Sequence, residues 1–214
     1  MLTVQAFTFN PLQENTYVLY NENGACCIID PGCYFDYEEK ALTDFIDQKG
    51  LTPAYLLNTH CHLDHIFGNA FVHKTYGLPL HLHRLEEQVL QFGRVTGEKW
   101  NLPLEPYNGP LQFIGVEDVI LLGEEKLTIL FTPGHSPGSI SFYSKAHQFV
   151  IGGDVLFRGS IGRTDLPGGS FEVLEESIRT QLYVLPEEVV VYPGHGGSTR
   201  IGEEMRGNPF VKMG

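Results

Sequence analysis

The stretch Asn58-Thr59-His60-Cys61-His62-Leu63-Asp64-His65 decides how this chain is interpreted. An apolar run at residues 54–57 precedes it and predicts a β-strand, and a helix is expected from about residue 64 to residue 76, ended at Gly77. Imidazole and carboxylate groups are ligands of borderline divalent metals such as zinc, iron or manganese. Because three histidines and one aspartate fall within six residues, the stretch predicts a metal site at a strand end.

Three further predicted strands end beside a metal-binding side chain. His135 follows a strand at residues 127–131, Asp154 follows one at residues 148–151, and His195 follows one at residues 188–192. Binding sites in sheet-and-helix folds gather at the carboxyl ends of strands. One zinc ion usually takes three protein ligands, whereas two cations roughly 3.5–4 Å apart can share more. The seven groups therefore predict a two-metal site, with Asp154, isolated on its own strand end, as the bridging ligand.

The remaining pattern predicts an α/β fold, with two sheet layers inside two helical layers and a single domain over residues 1–214. Residues 93–115 are poorly periodic and are expected to be irregular, as a segment that could cover the site. The other predicted elements are strands at residues 4–9, 16–20, 25–29, 119–122 and 140–143; a helix capped by Asp36 and ended by Gly50; a helix through residues 84–92; a helix carrying Leu174, Ile178 and Leu182; and a last strand at residues 188–192.

Composition excludes several classes of partner. The formal net charge of −12 disfavours nucleic acid, which needs clustered Lys and Arg. No signal peptide and no apolar run of bilayer-spanning length is recognised, so no membrane partner is expected. The four cysteines suggest no disulfide framework, and a cytoplasmic location is predicted. A structural zinc site would usually have Cys ligands. Cys61 stands between His60 and His62, and its side chain is expected to point away from the metal site.

Two other pairs of residues are candidates for the site, one as metal ligands and the other as substrate contacts. His81 and His83 form a His-x-His pair without a neighbouring carboxylate, and metal ligation there is not expected. Arg158 and Arg163 follow Asp154 closely and could grip a carboxylate of the substrate. The alternative is a structural ion pair inside the loop, for example between Arg163 and Asp165, and the two readings are left open.

The spacing of His60, His62, Asp64 and His65, followed in order by His135, Asp154 and His195, resembles the signature of the metallo-β-lactamase superfamily. This resemblance implies an αββα fold. It also implies that one metal is held by His60, His62 and His135. The second metal would be held by Asp64, His65 and His195, with Asp154 between them.

Within the superfamily, the segments Gly153-Asp154-Val155-Leu156-Phe157 and Gly162-Arg163-Thr164-Asp165 look most like those of single-domain bacterial type II glyoxalases. The implied reaction is hydrolysis of S-D-lactoylglutathione, or of a related small-molecule hydroxyacyl thioester, by a metal-bridging hydroxide. Asp64 is expected to act as a catalytic residue that orients the hydroxide proton. The expected cofactors are two divalent ions, zinc first, with iron or manganese also compatible.

The chain departs from full-length type II glyoxalases in two ways. No C-terminal helical glutathione-binding domain is expected, and Asp165 stands where the family has a tyrosine near the substrate. The alternative function is a persulfide dioxygenase that uses a single Fe(II), since those relatives share a Gly-Arg-Thr-Asp segment. A β-lactamase and a metal-free binding module are further alternatives, and no oligomeric state is predicted.

Overall fold

The computed structural model describes residues 1–212, which divide into two compact units. The first unit comprises Met1–Ile114 together with Leu121–Glu125, and the second comprises Gly115–Ile120 and the chain from Lys126 onward. The single domain expected over residues 1–214 stays a prediction.

The first unit contains a six-stranded mixed sheet in the order β1-β2-β3-β4-β5-β6. The first three strands are antiparallel neighbours, and β3 to β6 are parallel neighbours. The strands are β1 (Thr3–Phe9), β2 (Glu14–Tyr20), β3 (Ala25–Ile29), β4 (Thr52–Leu57), β5 (Leu80–Leu82) and β6 (Leu111–Phe113). The helices are α1 (Asp36–Lys49), α2 (Leu63–Ile66), α3 (Asn69–Tyr76) and α4 (Glu87–Lys99), the last preceded by a 3₁₀ turn at Arg84–Glu86.

Helix α1 ends at Gly50 as predicted, but the prediction that Asp36 caps its start is wrong. The cap position is Phe35. The Glu38 carboxylate, rather than the side chain of Asp36, accepts the N–H groups of Tyr34 and Phe35, at 2.8 and 3.2 Å. A glutamate that reaches back across the first turn satisfies N–H groups that have no partner within the helix.

The single helix predicted over residues 64–76 is two helices. The break falls at Phe67 and Gly68, because the Gly68 N–H donates to the Pro31 carbonyl at 2.7 Å instead of continuing the helical ladder. The carbonyl of Asp64 accepts a hydrogen bond from the Asn10 side chain at 3.0 Å. Contacts with the segments after β1 and β3 therefore stop α2 after one turn.

The prediction that residues 93–115 are irregular is confirmed for residues 100–110, which lie in no helix or strand, and wrong for segments on either side of them. Helix α4 continues through Lys99, and β6 forms at Leu111–Phe113. The buried positions of α4 are Gly93 and Gly97, which carry no apolar side chain and so leave no apolar stripe in the sequence.

The second unit contains the other six-stranded mixed sheet, in the order β14-β13-β10-β9-β8-β7. Its strands are β7 (Val119–Leu122), β8 (Glu125–Phe131), β9 (Ile140–Ser144), β10 (Phe149–Gly153), β13 (Val190–Pro193) and β14 (Thr199–Arg200), and a two-stranded ribbon joins β11 (Leu156–Phe157) to β12 (Ser160–Ile161). The helices are α5 (Phe171–Ser177), continued by a π-helical turn at Ile178–Leu182, and α6 (Ile201–Gly207). Leu174, Ile178 and Leu182 lie in the core, as predicted.

Strand direction places the ends of three strands at one edge of this second sheet. Strand β10 is parallel to β13 and antiparallel to β9, and β9 is antiparallel to β8. The carboxyl ends of β8, β10 and β13 therefore share an edge. The strand at residues 188–192 was expected to be the last, which is wrong, because β14 follows it. A strand of two residues is too short to show alternation in a sequence.

The predicted fold class, α/β with two mixed sheets and helices, is confirmed. No disulfide forms among the described residues, and all four cysteines are buried thiols. Among residues 1–212, no helix has the length and apolar character required to cross a bilayer.

Candidate metal centre

In the first unit, the loop between β4 and α2 carries the histidine-rich stretch. The parallel pairing of β3 with β4 brings the residue after β3, Asp30, beside this loop. Asp30 is 1% exposed and accepts hydrogen bonds from the Thr59 N–H at 2.7 Å and from the Asn58 side chain at 3.2 Å. Its backbone is left-handed, with φ of 49°, which is uncommon for a residue other than glycine and occurs where surrounding structure over-determines the conformation.

The same carboxylate fixes the protonation of two predicted ligands. Asp30 Oδ2 lies 3.1 Å from His65 Nδ1, so this ring nitrogen carries the proton that is donated. Asp30 Oδ2 also accepts the Thr59 hydroxyl at 2.5 Å, and Thr59 Oγ1 lies 3.1 Å from His60 Nδ1. Because a hydroxyl has one hydrogen and Asp30 takes it, His60 Nδ1 must be a donor too. Both histidines are thereby left with the lone pair on Nε2 that a metal requires.

The four predicted ligands of this unit lie close together. The ring centroids of His60 and His62 are 4.9 Å apart, those of His60 and His65 are 4.1 Å apart, and His65 Nε2 is 3.8 Å from Asp64 Oδ2. His60 and His65 are fully buried, whereas Asp64 is partly exposed. The structure therefore brings together all four side chains that the first stretch offered.

Glu14 is a second buried carboxyl group beside His65, with Oε1 at 3.8 Å from His65 Nδ1. Burial raises the pKa of Glu14 well above its ordinary value, and the negative charges of Asp30 and Asp64 add to this shift while His65 opposes it. Asp30, at 3.1 Å from the same ring nitrogen, is the nearer acceptor for His65.

In the second unit, the three predicted ligands stand at the ends of β8, β10 and β13, on the shared edge. Asp154 Oδ2 lies 3.5 Å from His135 Nε2 and 3.6 Å from His195 Nε2. Gly134 precedes His135 with φ of 125°, and a β-carbon there would lie 2.2 Å from the Leu174 nitrogen. Only glycine fits this turn. The two distances from Asp154 Oδ2 place this one carboxylate oxygen between the imidazole nitrogens of His135 and His195.

His135 is held in the same tautomer as His60 and His65. Its Nδ1 lies 2.7 Å from the Arg163 carbonyl, which can only accept. Its Nε2 is the atom that faces Asp154. In each unit, histidines whose lone pair is on Nε2 stand beside carboxylates, and such donors fit borderline divalent cations.

Arg163 makes a contact inside its own loop, whereas Arg158 contacts the segment between β13 and β14. Arg163 forms two hydrogen bonds to the Asp165 carboxylate, both at 2.7 Å, and the ion pair lowers the pKa of Asp165 to about 2. Arg158 donates to the Ser198 carbonyl from Nε at 3.1 Å and from Nη2 at 2.5 Å. The ion pair between Arg163 and Asp165 is present, and substrate contacts of either arginine stay a prediction.

Other candidates from the sequence have structural roles. His81 Nδ1 lies 3.1 Å from the Leu56 carbonyl, and His83 accepts the Leu85 N–H at the start of the 3₁₀ turn. Cys61 packs in the core of the first unit, away from its histidine neighbours as predicted. Burial, followed by the nearby charges of Glu86 and Asp30, raises the pKa of the Cys61 thiol well above its ordinary value.

Sequence reasoning missed Asp30 and Glu86. Both are buried carboxylates that accept N–H groups of the histidine-rich loop, from Thr59 at 2.7 Å and from Cys61 at 2.8 Å. Asp30 could have been suspected from Asp30-Pro31-Gly32, a polar residue and two turn residues directly after a predicted strand. Nothing in the sequence around Glu86 points to the loop.

The fold and the two ligand sets define the class of this protein, an α/β protein built to hold divalent metal. A family model described as the metallo-beta-lactamase superfamily matches residues 9–195, and the chain belongs to that superfamily.

Two curated relatives match over almost their whole length. The chain is 41% identical over 202 residues to a "Probable metallo-hydrolase YqgX" of Bacillus subtilis (strain 168), covering 94% of this chain and 93% of the relative. It is 32% identical over 219 residues to the "Hydroxyacylglutathione hydrolase GloC" of Haemophilus influenzae, covering 98% of each.

Two solved structures are similar along the chain. One is described as TTHA1623 in a di-iron-bound form, with a TM-score of 0.87, 38% identity and coverage of 97% of this chain and 100% of the other. The second is described as BLEG-1 B3 metallo-beta-lactamase, with a TM-score of 0.86, 37% identity and coverage of 99% and 100%.

Proposed function

We propose that this protein is a binuclear metallohydrolase that cleaves a hydroxyacyl thioester, with S-D-lactoylglutathione as the reference substrate. In this proposal His60, His62 and His135 hold one cation, and Asp64, His65 and His195 hold the other. Asp154 bridges the two. The observation that carries the proposal is Asp154 Oδ2, at 3.5 and 3.6 Å from His135 Nε2 and His195 Nε2, because a carboxylate between two histidines suits a bridge between two metals.

When bound, two divalent cations supply a water of lowered pKa as nucleophile and polarise the carbonyl that it attacks. The chain itself supplies preorganisation. Asp30 fixes the Nδ1–H tautomers of His60 and His65, and the Arg163 carbonyl does the same for His135. Asp64, partly exposed beside His65, is proposed to accept and orient the proton of the nucleophile. A thiolate leaves as a stable anion, so no strong general acid is needed.

The choice of substrate rests on likeness to a named relative. The Haemophilus protein, which matches over 98% of both chains, is called a hydroxyacylglutathione hydrolase. Zinc is proposed as the metal, with iron compatible because the similar TTHA1623 structure is in a di-iron-bound form. The expected partner is a small thioester in a cytoplasmic setting, without nucleic acid or membrane.

The test is the rate at which metal-replete protein consumes S-D-lactoylglutathione, followed by loss of thioester absorbance. Saturable hydrolysis is expected, with loss of at least about a hundredfold in kcat/KM for His60→Ala and Asp154→Asn, the cost typical of removing a catalytic electrostatic group. The Asp44→Asn variant, which alters an exposed ion pair with Lys40, is the matched control and should keep full activity. A fully metallated protein that does not hydrolyse the thioester contradicts the proposal.

Two further substrates separate the competing functions. The likeness to BLEG-1, a B3 metallo-beta-lactamase, at 37% identity favours a β-lactam as a second substrate to assay. Oxygen uptake with glutathione persulfide, and one iron per chain instead of two metals, would identify the persulfide dioxygenase that the Gly162-Arg163-Thr164-Asp165 segment suggested. Either activity, found without thioester hydrolysis, replaces the proposed function.

A further inference from the structure

Glu86 is a fully buried carboxylate next to the histidine-rich loop. It ends the 3₁₀ turn that leads into α4, and its side chain is 0% exposed. A glutamate is almost never fully buried unless its carboxylate is paired. One partner is the backbone N–H of Cys61, which donates to Glu86 Oε2 at 2.8 Å.

The contact between Glu86 and Cys61 lies within the stretch that carries two of the proposed metal ligands. Cys61 lies between His60 and His62, the two neighbouring residues proposed as ligands of one metal. On the other side of His60, the Thr59 N–H donates to Asp30 at 2.7 Å. Two buried carboxylates from different elements thus anchor the backbone on both sides of His60, and the Glu86 contact also fixes the residue that precedes His62.

Helix α4, which follows Glu86, supports the next part of the same segment. A β-carbon at Gly93 would lie 2.7 Å from Ile66 Cδ1, and one at Gly97 would lie 3.4 Å from Leu63 Cδ1. Leu63 and Ile66 are the first and last residues of α2, which carries Asp64 and His65. Glu86 and the helix that follows it therefore contact the segment that carries the proposed ligands at three positions, Cys61, Leu63 and Ile66.

We propose that Glu86 is a positioning residue of the metal centre. By holding the Cys61 N–H, it fixes the loop so that the imidazoles of His60 and His62 point to one cation before that cation arrives. This inference rests on the proposed function only in taking His60 and His62 as metal ligands. It does not depend on which ester is hydrolysed.

The test compares zinc affinity and metal-free stability in three variants of the full chain. Glu86→Ala removes the carboxylate that accepts the Cys61 N–H. Glu86→Asp shortens the side chain by one methylene and so moves the carboxylate away from that N–H. Glu86→Gln keeps a carbonyl oxygen that can accept it. Zinc affinity is measured by competition with a chromophoric chelator, and stability by thermal unfolding of the metal-free protein. The Ala and Asp variants are expected to bind zinc about 10- to 100-fold more weakly, the usual effect of removing a group that orients ligands. The Gln variant should bind close to wild type.

Glu204→Ala is the matched control. Glu204 is also a buried glutamate that accepts a backbone N–H, from Gly159 at 2.9 Å, and its other donors are the side chains of Thr199 and Asn208, none of them a proposed ligand or the chain neighbour of one. Its removal should lower the unfolding temperature without a comparable loss of zinc affinity. If Glu86→Ala does not fold, Glu86→Asp carries the comparison.

Variants that are destabilised as much as Glu204→Ala but bind zinc like wild type would overturn the positioning role, as would a Gln variant as weak as the Ala variant. A wild-type protein whose zinc binding is insensitive to His60→Ala would instead refute the ligand assignment on which the proposed function rests. Normal zinc binding without thioester hydrolysis would refute the substrate alone.

Discussion

Replacement of Asp30 by asparagine tests the hydrogen-bond network behind the ligand histidines. Asp30 accepts four donors: Oδ1 takes the Thr59 N–H and the Asn58 amide, and Oδ2 takes the Thr59 hydroxyl and His65 Nδ1. An asparagine presents one oxygen whichever way its amide is turned, so two of these donors would face an NH₂ group. Each buried donor left without an acceptor costs about 1–3 kcal/mol.

Of these two donors, the Thr59 hydroxyl can turn to His60 Nδ1, so His65 Nδ1 is the one left without an acceptor, and the free energy of unfolding of the metal-free Asp30→Asn protein should fall by about 2 kcal/mol. For a chain of this size, with an m-value of about 2 kcal/mol/M, the urea midpoint should drop by about 1 M. The same measurement on Asp44→Asn, at the exposed ion pair with Lys40, should change the free energy of unfolding by less than about 1 kcal/mol.

Metal binding should weaken as well, for a separate reason. Without the Asp30 carboxylate, the Thr59 hydroxyl can donate to His60 Nδ1, which shifts the ring proton to Nε2 and blocks the ligand atom. Zinc affinity, measured by competition with a chelator, should fall by about 10- to 100-fold. An Asp30→Asn protein with wild-type stability and wild-type zinc affinity would refute the assignment of these tautomers and of Asp30 as their anchor.

Three further predictions concern other parts of the chain. Burial raises the pKa of Cys26 to about 12, so at pH 8 its thiolate fraction is about a thousandfold below that of a thiol of ordinary pKa. Alkylation of Cys26 should therefore require unfolding. Rapid labelling of the native protein, detected by mass spectrometry, would contradict this prediction. Gly93→Val should push Ile66 away and destabilise α2, so the urea midpoint and zinc affinity should both fall; wild-type values for both would show that this packing is unimportant. Arg163→Ala breaks the exposed ion pair with Asp165 and should leave the urea midpoint nearly unchanged. A raised KM for the thioester with unchanged kcat would assign Arg163 to substrate binding. An unchanged KM would show that Arg163 contacts only its own loop.

Residues that belong to a local pattern could be predicted from the sequence. The strands that end before His60, His135, Asp154 and His195 are all present, because each is an apolar run followed by glycine or polar residues. The same periodicity failed for α4, whose buried face is made of Gly93 and Gly97. It also failed at the break between α2 and α3, which depends on a hydrogen bond to Pro31, far away in the sequence.

The contacts of Asp30 and Glu86 with the histidine-rich loop could not be predicted, because only strand pairing brings these two residues to the loop. Asp30 precedes His60 by thirty residues and reaches it because β3 is parallel to β4. Glu86 reaches Cys61 because β5, which is followed by its 3₁₀ turn, pairs with β4. Neither carboxylate stands at a spacing that indicates a metal ligand, and a lone acidic residue near a turn is usually exposed.

Metal stoichiometry tests the proposal that seven side chains hold two cations. The protein is stripped with a chelator, reconstituted with zinc, desalted and analysed by inductively coupled plasma mass spectrometry against protein concentration. Two zinc ions per chain are expected. One ion or none per correctly folded chain would refute the two-metal site.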